Sequence, residues 1–413
     1  RSIDLPVEVS VFGKRIDQRL LLSIATVALA SVLIIGCSTR PEVSENLPMA
    51  GNHSPGDLFM VTADTSSDGF HYLEPQMSPN NQRIVFTADW IALPVDPRNL
   101  PDTPLLDRQL VVVNMELQET ILSQLSMSNA QLVRIAEGGP NMEIQKGSPV
   151  WINDESILFW IETDFGARLA RLEVPQNLDG LLQPEIIYAE PSDGENSGMY
   201  WEHRDPAISP DGHWIAFSKS RYAIDGIPED DDYGQQSIWV MEMPGLGSQS
   251  ELVFQVTTEA SIIANPSWSP DGTKIVFNSN INLDSGLNSP LEIFTIDFDV
   301  TEAENNNAIL DLNINRLTNS ENNDHIPIRN WAPVFSPDGM NILFVSDRRA
   351  PSITLHERSI WSIPSDGGLE PSILFFSRED DIDVSFAPGQ SDMIIFSSGM
   401  GFPTEMLDRI EQE

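Results

Sequence analysis

Short apolar runs, each preceded by a polar turn, recur along the whole chain. The clearest example runs from Pro266 to Phe277 and reads P-S-W-S-P-D-G-T-K-I-V-F. Proline fits the first corner of a type I turn, aspartate suits the second corner, and glycine suits the exit position. The final Ile275-Val276-Phe277 lacks polar alternation, as expected of a strand that is covered on both faces. The stretch therefore predicts a strand, a tight turn and a second strand.

Six copies of this pattern occur, three of them complete, two partial and one weak. They begin at Pro75, Pro149, Pro206, Pro266, Pro333 and Val384. Further strand-like runs follow the copies, so each repeat is expected to form a four-stranded unit. An all-β, six-bladed β-propeller is the architecture that such repeats predict. Few residues follow the last copy, and Leu58 to Thr62 is an unassigned strand before the first copy. We expect this N-terminal strand to close the last blade.

The repeated P-x-[aromatic]-S-P-D-G-x-x-I-x-F pattern resembles the TolB-type propeller. It is also similar to the propeller half of prolyl oligopeptidase family enzymes. The resemblance covers residues 57–413 and implies a propeller fold, but the motif is structural and says little about activity. TolB itself has an α/β domain before its propeller. This chain has only a polar segment there, so the resemblance does not transfer TolB's whole envelope role.

The N-terminal part of the chain has the pattern of a secretion signal. An apolar run from Leu20 to Ile35 follows three basic residues, Lys14, Arg15 and Arg19. It ends in Ile-Ile-Gly-Cys, which resembles the lipobox of bacterial lipoproteins. The resemblance implies cleavage before Cys37 and attachment of diacylglycerol to its thiol. Cys37 is the chain's single cysteine, so no internal disulfide is expected. An uncleaved signal anchor is the alternative.

These features predict three segments and a location. Residues 1–36 are expected to be a lipoprotein signal peptide with a signal helix, residues 37–56 the lipidated cysteine and a flexible tether, and residues 57–413 the propeller. We expect a monomer that is lipid-anchored in the cell envelope, outside the cytoplasm. By the lipoprotein sorting rule, Ser38 permits transfer to the outer membrane in a bacterium with two membranes.

The charge balance limits the possible partners. The chain has 23 Lys and Arg residues against 62 Asp and Glu, a formal net charge of −39. Nucleic-acid binding requires a cationic surface, and so does adsorption to anionic lipid headgroups, so the charge balance argues against both. A strongly solvated surface is one interpretation of the acidity, and a cationic partner or divalent ions are another.

No catalytic residue, cofactor or metal site is predicted with a recognisable motif. The chain lacks G-x-S-x-G, which argues against a serine hydrolase of the prolyl oligopeptidase type. His71, His203 and His325 lie shortly before three first strands and could share one mouth of the ring. Some propeller lyases that act on uronate sugars hold a metal in such a place. Ordinary loop histidines are the alternative.

The segments just before the first strands are the candidate binding surface. They carry Tyr200, Trp201, His203 and Arg204 before the third copy, and Arg329 and Trp331 before the fifth. Aromatic and arginine side chains are frequent anchors of protein interfaces. Packing at the blade entrance is the alternative role for Trp201 and Trp331. The sequence thus predicts a non-catalytic envelope propeller that binds a protein or peptide at its mouth. A metal-dependent, lyase-like carbohydrate-active enzyme is the second hypothesis.

Overall fold

A computed structural model describes most of the predicted propeller and several short N-terminal segments. The described residues are 9–11, 14–16, 32–37, 58–63, 71–91, 106–114, 130–132, 145–163, 166–176, 182–188, 199–223, 235–281, 290–299, 314–320, 328–348, 358–375, 381–390 and 393–398. All regular structure in them is β-strand.

Short strands precede the first repeat. These are β1 (Val9–Val11), β2 (Lys14–Ile16), β3 (Val32–Cys37) and β4 (Leu58–Ala63). Strands β1 and β2 form an antiparallel pair. Strands β3 and β4 also pair with each other and belong to a larger sheet that is described below.

Five blades follow, and each is an antiparallel sheet of four consecutive strands. Blade A contains β5 (His71–Met77), β6 (Arg83–Ile91), β7 (Leu106–Asn114) and β8 (Ala130–Leu132). Blade B contains β9 (Lys146–Asn153), β10 (Ser156–Thr163), β11 (Gly166–Glu173) and β12 (Glu185–Ile186). Blade C contains β13 (Met199–Ile208), β14 (Trp214–Ala223), β15 (Gln236–Glu242) and β16 (Val253–Gln255). Blade D contains β17 (Ile263–Trp268), β18 (Lys274–Ser279), β19 (Glu292–Asp297) and β20 (Asn315–Arg316). Blade E contains β21 (Asn330–Phe335), β22 (Asn341–Ser346), β23 (Ser359–Pro364) and β24 (Ser372–Phe375).

The prediction of six equivalent blades requires correction. After blade E the described residues supply only β25 (Asp381–Phe386) and β26 (Met393–Ser398). These strands form a composite sheet with the N-terminal part of the chain, in the order β25-β26-β3-β4. The predicted closing strand, Leu58 to Thr62, is present within β4 but lies at the outer edge of this sheet. Strand β3 separates it from β26, so two N-terminal strands are involved rather than one.

The composite sheet lies between blades E and A. Strands β25 and β26 both contact β5, and β25 also contacts β21 and β22. The Ser385 hydroxyl donates a hydrogen bond to the Pro75 carbonyl oxygen at 2.8 Å. Since β5 and β25 are more than 300 residues apart in sequence, contacts between the two ends of the chain complete the arrangement.

The predicted signal helix falls mainly outside the described residues. The last residues of the predicted signal peptide, 32–36, form strand β3 (Val32–Cys37) together with Cys37. Within the described ranges no helix is long and apolar enough to cross a membrane.

The second strands are buried on both faces, as the sequence predicts. Ile84, Val85 and Phe86 in β6 are fully inaccessible, and so are Ile275, Val276 and Phe277 in β18. Aromatic residues of the first strands fill the spaces between sheets. The indole nitrogen of Trp151 donates to the Gln76 carbonyl of blade A at 3.0 Å, and that of Trp268 donates to the Ala207 carbonyl of blade C at 3.1 Å. Each such tryptophan therefore packs against the preceding blade and also hydrogen bonds to it.

The predicted Ser-Pro-Asp-Gly turns have one common hydrogen-bonding pattern. In blade D the Gly272 amide donates to the Ser269 carbonyl oxygen at 2.9 Å, and Gly272 has φ of +72°. The Ser269 hydroxyl donates to the Asp271 carboxylate at 2.6 Å, and the Thr273 amide donates to the same oxygen at 3.0 Å. These hydrogen bonds stabilise the charged carboxylate and lower the pKa of Asp271, with the Ser269 bond as the largest cause. We call the end of the sheets that carries these turns the turn face. The end where the first strands begin is the entry face.

The Asp271 turn should make stability depend on pH in the acid range. Its pKa in the folded protein lies below the ordinary value of 3.8, so the unfolded chain binds a proton more readily there. The stabilisation is therefore present above about pH 4 and is lost as pH falls through the folded-state pKa. We expect Asp271→Asn to reduce the loss of stability between pH 5 and pH 3, measured by urea unfolding.

Asp366→Asn is the matched control for Asp271→Asn. Asp366 is an exposed aspartate at the corresponding position of the Pro364–Gly367 turn, and none of the described hydrogen bonds reaches its carboxylate, so its substitution removes one negative charge without removing such bonds. Equal acid dependence in the two variants would contradict the role assigned to the Asp271 carboxylate.

Candidate binding site

One left-handed residue lies on the first strand of each of the six four-stranded sheets. One residue in each first strand has φ between 46° and 55°, the left-handed region that non-glycine residues seldom occupy. These residues, which we call the belt, are Glu74, Ser148, Asp205, Asn265, Ala332 and Asp383. At the same point the pairing of each first strand with its second strand shifts register. The belt is therefore a repeated β-bulge, and such bulges re-aim backbone and side chains.

Belt carboxylates connect neighbouring sheets by accepting hydrogen bonds from the backbone. Asp383 accepts from the Glu74 amide at 3.2 Å, Glu74 accepts from the Ser148 amide at 2.7 Å, and Asp205 accepts from the Asn265 amide at 3.4 Å. The Ser148 hydroxyl also donates to both Glu74 and Asp205, at 3.1 and 3.2 Å. Hydrogen bonds to charged acceptors are stronger than neutral ones. The belt hydrogen bonds therefore link the composite sheet to blade A, blade A to blade B, blade B to blade C and blade C to blade D.

A cavity of about 380 Å³ extends from the belt toward the turn face. Its walls contain the prolines and first-strand residues that follow the belt, and it reaches Pro79, Pro210 and Pro388 beside the turns. Its charged lining residues are Glu74, Asp205 and Asp383, and no lysine, arginine or histidine lines this described cavity. All three carboxylates are engaged in the belt contacts, so their position is explained by the fold itself.

The predicted site residues lie on the other side of the belt, toward the entry face. None of the six lines the cavity. Trp201 and Arg204 lie in the part of β13 that precedes the belt residue Asp205. The guanidinium of Arg204 stacks on the Trp160 ring of blade B at 4.1 Å, and its Nε donates to Glu202 at 2.9 Å. With 35% of its side chain exposed, Arg204 is accessible from solvent.

A cluster of cations and tryptophans surrounds Trp201. The Lys219 ammonium lies between two indole rings, 4.3 Å from the centre of Trp201 and 4.1 Å from that of Trp239. The Arg221 guanidinium lies 5.8 Å from the centre of the Trp201 ring. Arg168 of blade B donates to the Trp201 carbonyl oxygen. Cation–π contacts of this kind are strongest where the cation is desolvated, and Lys219 is only 4% exposed.

His203 lies in the core rather than on a binding surface. It is fully buried, and its ring packs between Tyr188 at 5.3 Å and Phe217 at 5.4 Å. Tyr200 pairs with Tyr222 in the β13–β14 ladder, and its side chain lies outside the described residues. His325 and the side chain of His71 also lie outside them. Among the described residues no group of three or more His, Cys, Asp or Glu side chains is placed to hold a metal ion.

The fifth-copy residues sit at the entrance of blade E. The Arg329 amide donates to the Asp347 carboxylate at 2.7 Å, and the Arg329 carbonyl oxygen accepts from the Asp347 amide at 3.3 Å. Trp331 is partly buried and packs against the core that blade E shares with the composite sheet. This contact is the packing role that the sequence left open for Trp331. The described contacts do not join Arg329 to the cluster around Trp201.

Sequence reasoning missed the belt and the partners of Trp201. Lysine is rare in this chain, and Lys219 and Arg221 are two residues apart in a strand, which places them on one face. That spacing could have indicated a cationic patch on this strand. Trp160 and Trp239 belong to other strands, and only the folded arrangement brings them to Arg204 and Lys219.

Comparisons with known proteins support the fold. No family model and no curated protein matches the chain in sequence. A putative TolB from Agrobacterium tumefaciens is similar in structure, with a TM-score of 0.50 and 14% identity, over 90% of this chain and 98% of that one. TolB from Acinetobacter baumannii has a TM-score of 0.43 and 15% identity, over 90% of this chain and 64% of that one. Prolyl oligopeptidase B from Galerina marginata has a TM-score of 0.42 and 12% identity, over 86% of this chain and 42% of that one.

These comparisons define the class of protein. The chain is an all-β propeller of four-stranded antiparallel sheets, and the predicted resemblance to TolB-type propellers is confirmed for the fold. At 14% identity the likeness shows the fold alone, and the matches with TM-scores below 0.5 support no further argument.

The belt predicts a stability effect at Glu74. We expect Glu74→Ala to lower the free energy of unfolding by about 2–3 kcal/mol, because the Ser148 amide loses its charged acceptor. Glu74→Gln should cost less, since the amide oxygen can still accept one hydrogen bond. Urea unfolding at pH 7 measures both. The exposed Glu173 is the control, and Glu173→Ala should change stability by no more than about 0.5 kcal/mol. Equal losses at Glu74 and Glu173 would contradict a structural belt.

Proposed function

We propose that the protein is a non-catalytic, lipid-anchored propeller of the cell envelope that binds a protein or peptide partner at its entry face. The observation that carries this proposal is the group of tryptophans and cations around Trp201 and Arg204. It combines accessible aromatic and guanidinium groups, which are the side chains that dominate protein interfaces. Arg329 and Trp331 of blade E, together with Tyr200, complete the proposed surface. His203 lies in the core and packs beneath this surface. The propeller is proposed to act as a monomer.

The accessible part of this surface differs in character from the cavity. The cavity walls are rich in proline, and its carboxylates are occupied by the belt. Arg204, by contrast, is partly exposed while its position is fixed by Trp160 and Glu202. A side chain that is already ordered loses less entropy when a partner binds. This favours the entry face over the cavity as the partner site.

The second hypothesis, a metal-dependent carbohydrate-active enzyme, gains no support from the described residues. It requires His71, His203 and His325 to converge on one metal, and the buried, ring-packed position of His203 does not favour this. We therefore retain the binding function as the proposal.

The proposed lipid anchor has a consequence for the composite sheet. Cleavage before Cys37 would remove Val32 to Gly36, which is most of β3. Strand β4 would then be the remaining N-terminal strand available to pair with β26. In the processed protein, β4 is proposed to close the ring as part of a sixth blade, held by an anchor at Cys37 and the segment 38–56. Several acyl chains together give stable membrane attachment.

The partner surface can be tested with a photo-crosslinking amino acid. Benzoylphenylalanine is placed at Glu162, an exposed position of β10 near the entry face, and at Met340, which is 66% exposed on the turn face. We expect a discrete protein adduct from position 162 in cells and none from position 340. The adduct should be lost in the Arg204→Ala, Arg329→Ala double variant. An adduct only from position 340, or one that the double variant leaves unchanged, would overturn the proposed site.

The anchor is tested separately at Cys37. We expect the protein to incorporate radioactive palmitate and to be cleaved before Cys37, and we expect Cys37→Ser to abolish the labelling and to leave the precursor uncleaved in the membrane. Labelling that Cys37→Ser leaves unchanged would contradict lipid anchoring at this residue. An original protein that is neither labelled nor cleaved would favour the uncleaved signal anchor instead.

A further inference from the structure

A concentration of positive charge lies at the entry side of the contact between blades B and C. We define the basic edge as Arg168, Arg204, Lys219 and Arg221. Arg168, Lys219 and Arg221 all contact Trp201, and Arg204 lies further along the same strand β13. The chain contains only 23 basic residues and has a net charge of −39. The basic edge is therefore locally positive, whereas the molecule as a whole is strongly negative.

The strand register places Lys219 and Arg221 together beside Trp201, whereas Arg204 pairs with Ser218 and is one residue out of step with that face, and Arg168 belongs to β11 of blade B. Trp201 pairs directly with Arg221, and His203 pairs with Lys219, so alternate residues of β13 and β14 share one face. Trp239 of β15 pairs with Phe217 and continues that face. Cations on one face repel each other unless anions or aromatic rings compensate. The rings of Trp201 and Trp239 compensate Lys219, while the Arg221 guanidinium lies 5.8 Å from the centre of the Trp201 ring.

Arg221 has hydrogen-bonding capacity that the described residues do not use. Its Nε is buried, and within the described ranges it has no hydrogen-bond acceptor. None of the described carboxylates forms an ion pair with it. Glu202, the acidic residue on the neighbouring strand, binds Arg204 instead. A buried guanidinium N–H without an acceptor is unfavourable, and a planar guanidinium is best satisfied by a carboxylate that accepts two parallel hydrogen bonds.

We propose that the basic edge binds an acidic peptide segment of the partner, with a carboxylate that accepts from Arg221 and with neighbouring side chains on the exposed part of Trp201. This inference rests on the proposed partner function and specifies its chemistry. Charge complementarity supports this occupant, because the surface is cationic and aromatic within an acidic molecule. The acidic remainder of the chain repels such a segment, which confines its binding to this edge.

The probe is a fluorescein-labelled hexaglutamate peptide, and binding to the full-length protein in detergent is followed by fluorescence anisotropy. We expect hexaglutamate to bind and hexaglutamine not to bind. Arg221→Gln should weaken the binding about tenfold or more, and Arg221→Lys should weaken it less, because the charge remains while the guanidinium fork is lost. Lys274→Gln is the matched control. It removes one cation from an exposed pair with Asp297 on blade D and should leave affinity within about twofold.

The binding assay remains interpretable if one of the arginine variants does not fold. Thermal unfolding checks each variant, and Arg204→Gln replaces Arg221→Gln if the latter does not fold, since Arg204 is partly exposed. The inference is overturned if hexaglutamate does not bind, or if folded Arg221→Gln and Arg204→Gln bind it as well as the original protein. It is also overturned if oligogalacturonate binds in an Arg221-dependent way and hexaglutamate does not, because the site would then be for acidic sugars.

Failure of this inference is distinguishable from failure of the proposed function. If the adduct from position 162 persists and Arg221→Gln leaves it unchanged, the entry face binds a partner that the basic edge does not recognise. If position 162 gives no adduct at all, the partner function itself fails, whatever the behaviour of hexaglutamate.

Discussion

The left-handed residue on each first strand is the constraint on which the arrangement of the sheets depends. Residues in this conformation store strain of roughly 1–3 kcal/mol each, so surrounding contacts must hold them in place. In this protein the contacts are hydrogen bonds from the next sheet, most directly from the Ser148 amide to Glu74 and from the Glu74 amide to Asp383. The second of these joins the first and last sheets along the described part of the propeller, since Glu74 and Asp383 are 309 residues apart. The belt thus couples local strand geometry to the closed order of the sheets.

The belt also divides the molecule into two functional environments. On its turn side lies a proline-rich cavity whose carboxylates belong to the belt. On its entry side, β13 continues beyond Asp205 and carries Trp201 and Arg204 to the edge of blade B. Because the carboxylates on the axis already have structural partners, they explain part of the acidity without requiring a metal or a cationic ligand. The proposed binding chemistry is therefore assigned to the basic edge.

Local patterns in the sequence predicted the local structure well. The Ser-Pro-Asp-Gly turns, the buried second strands and the tryptophans between blades all follow from residues within one repeat. Features that depend on distant pairing were not predictable in this way. The apolar segment Val32–Cys37 has the composition of a signal peptide, and nothing within it indicates pairing with β26. The belt was missed because its six positions share a backbone conformation and not a residue type. His203 was assigned to the surface because its register relative to Phe217 was unknown.

Amide-resolved hydrogen exchange tests the central claim, that the belt is a cooperative structural ring, most directly. The amides of Glu74, Ser148 and Asn265 are each bonded to a carboxylate of the preceding sheet. The account predicts that they exchange only through global unfolding, with the same free energy as the middle-strand amides of β6 and β18. Rapid exchange at these three amides, at the rate of exposed turns and with the middle strands still protected, would contradict it.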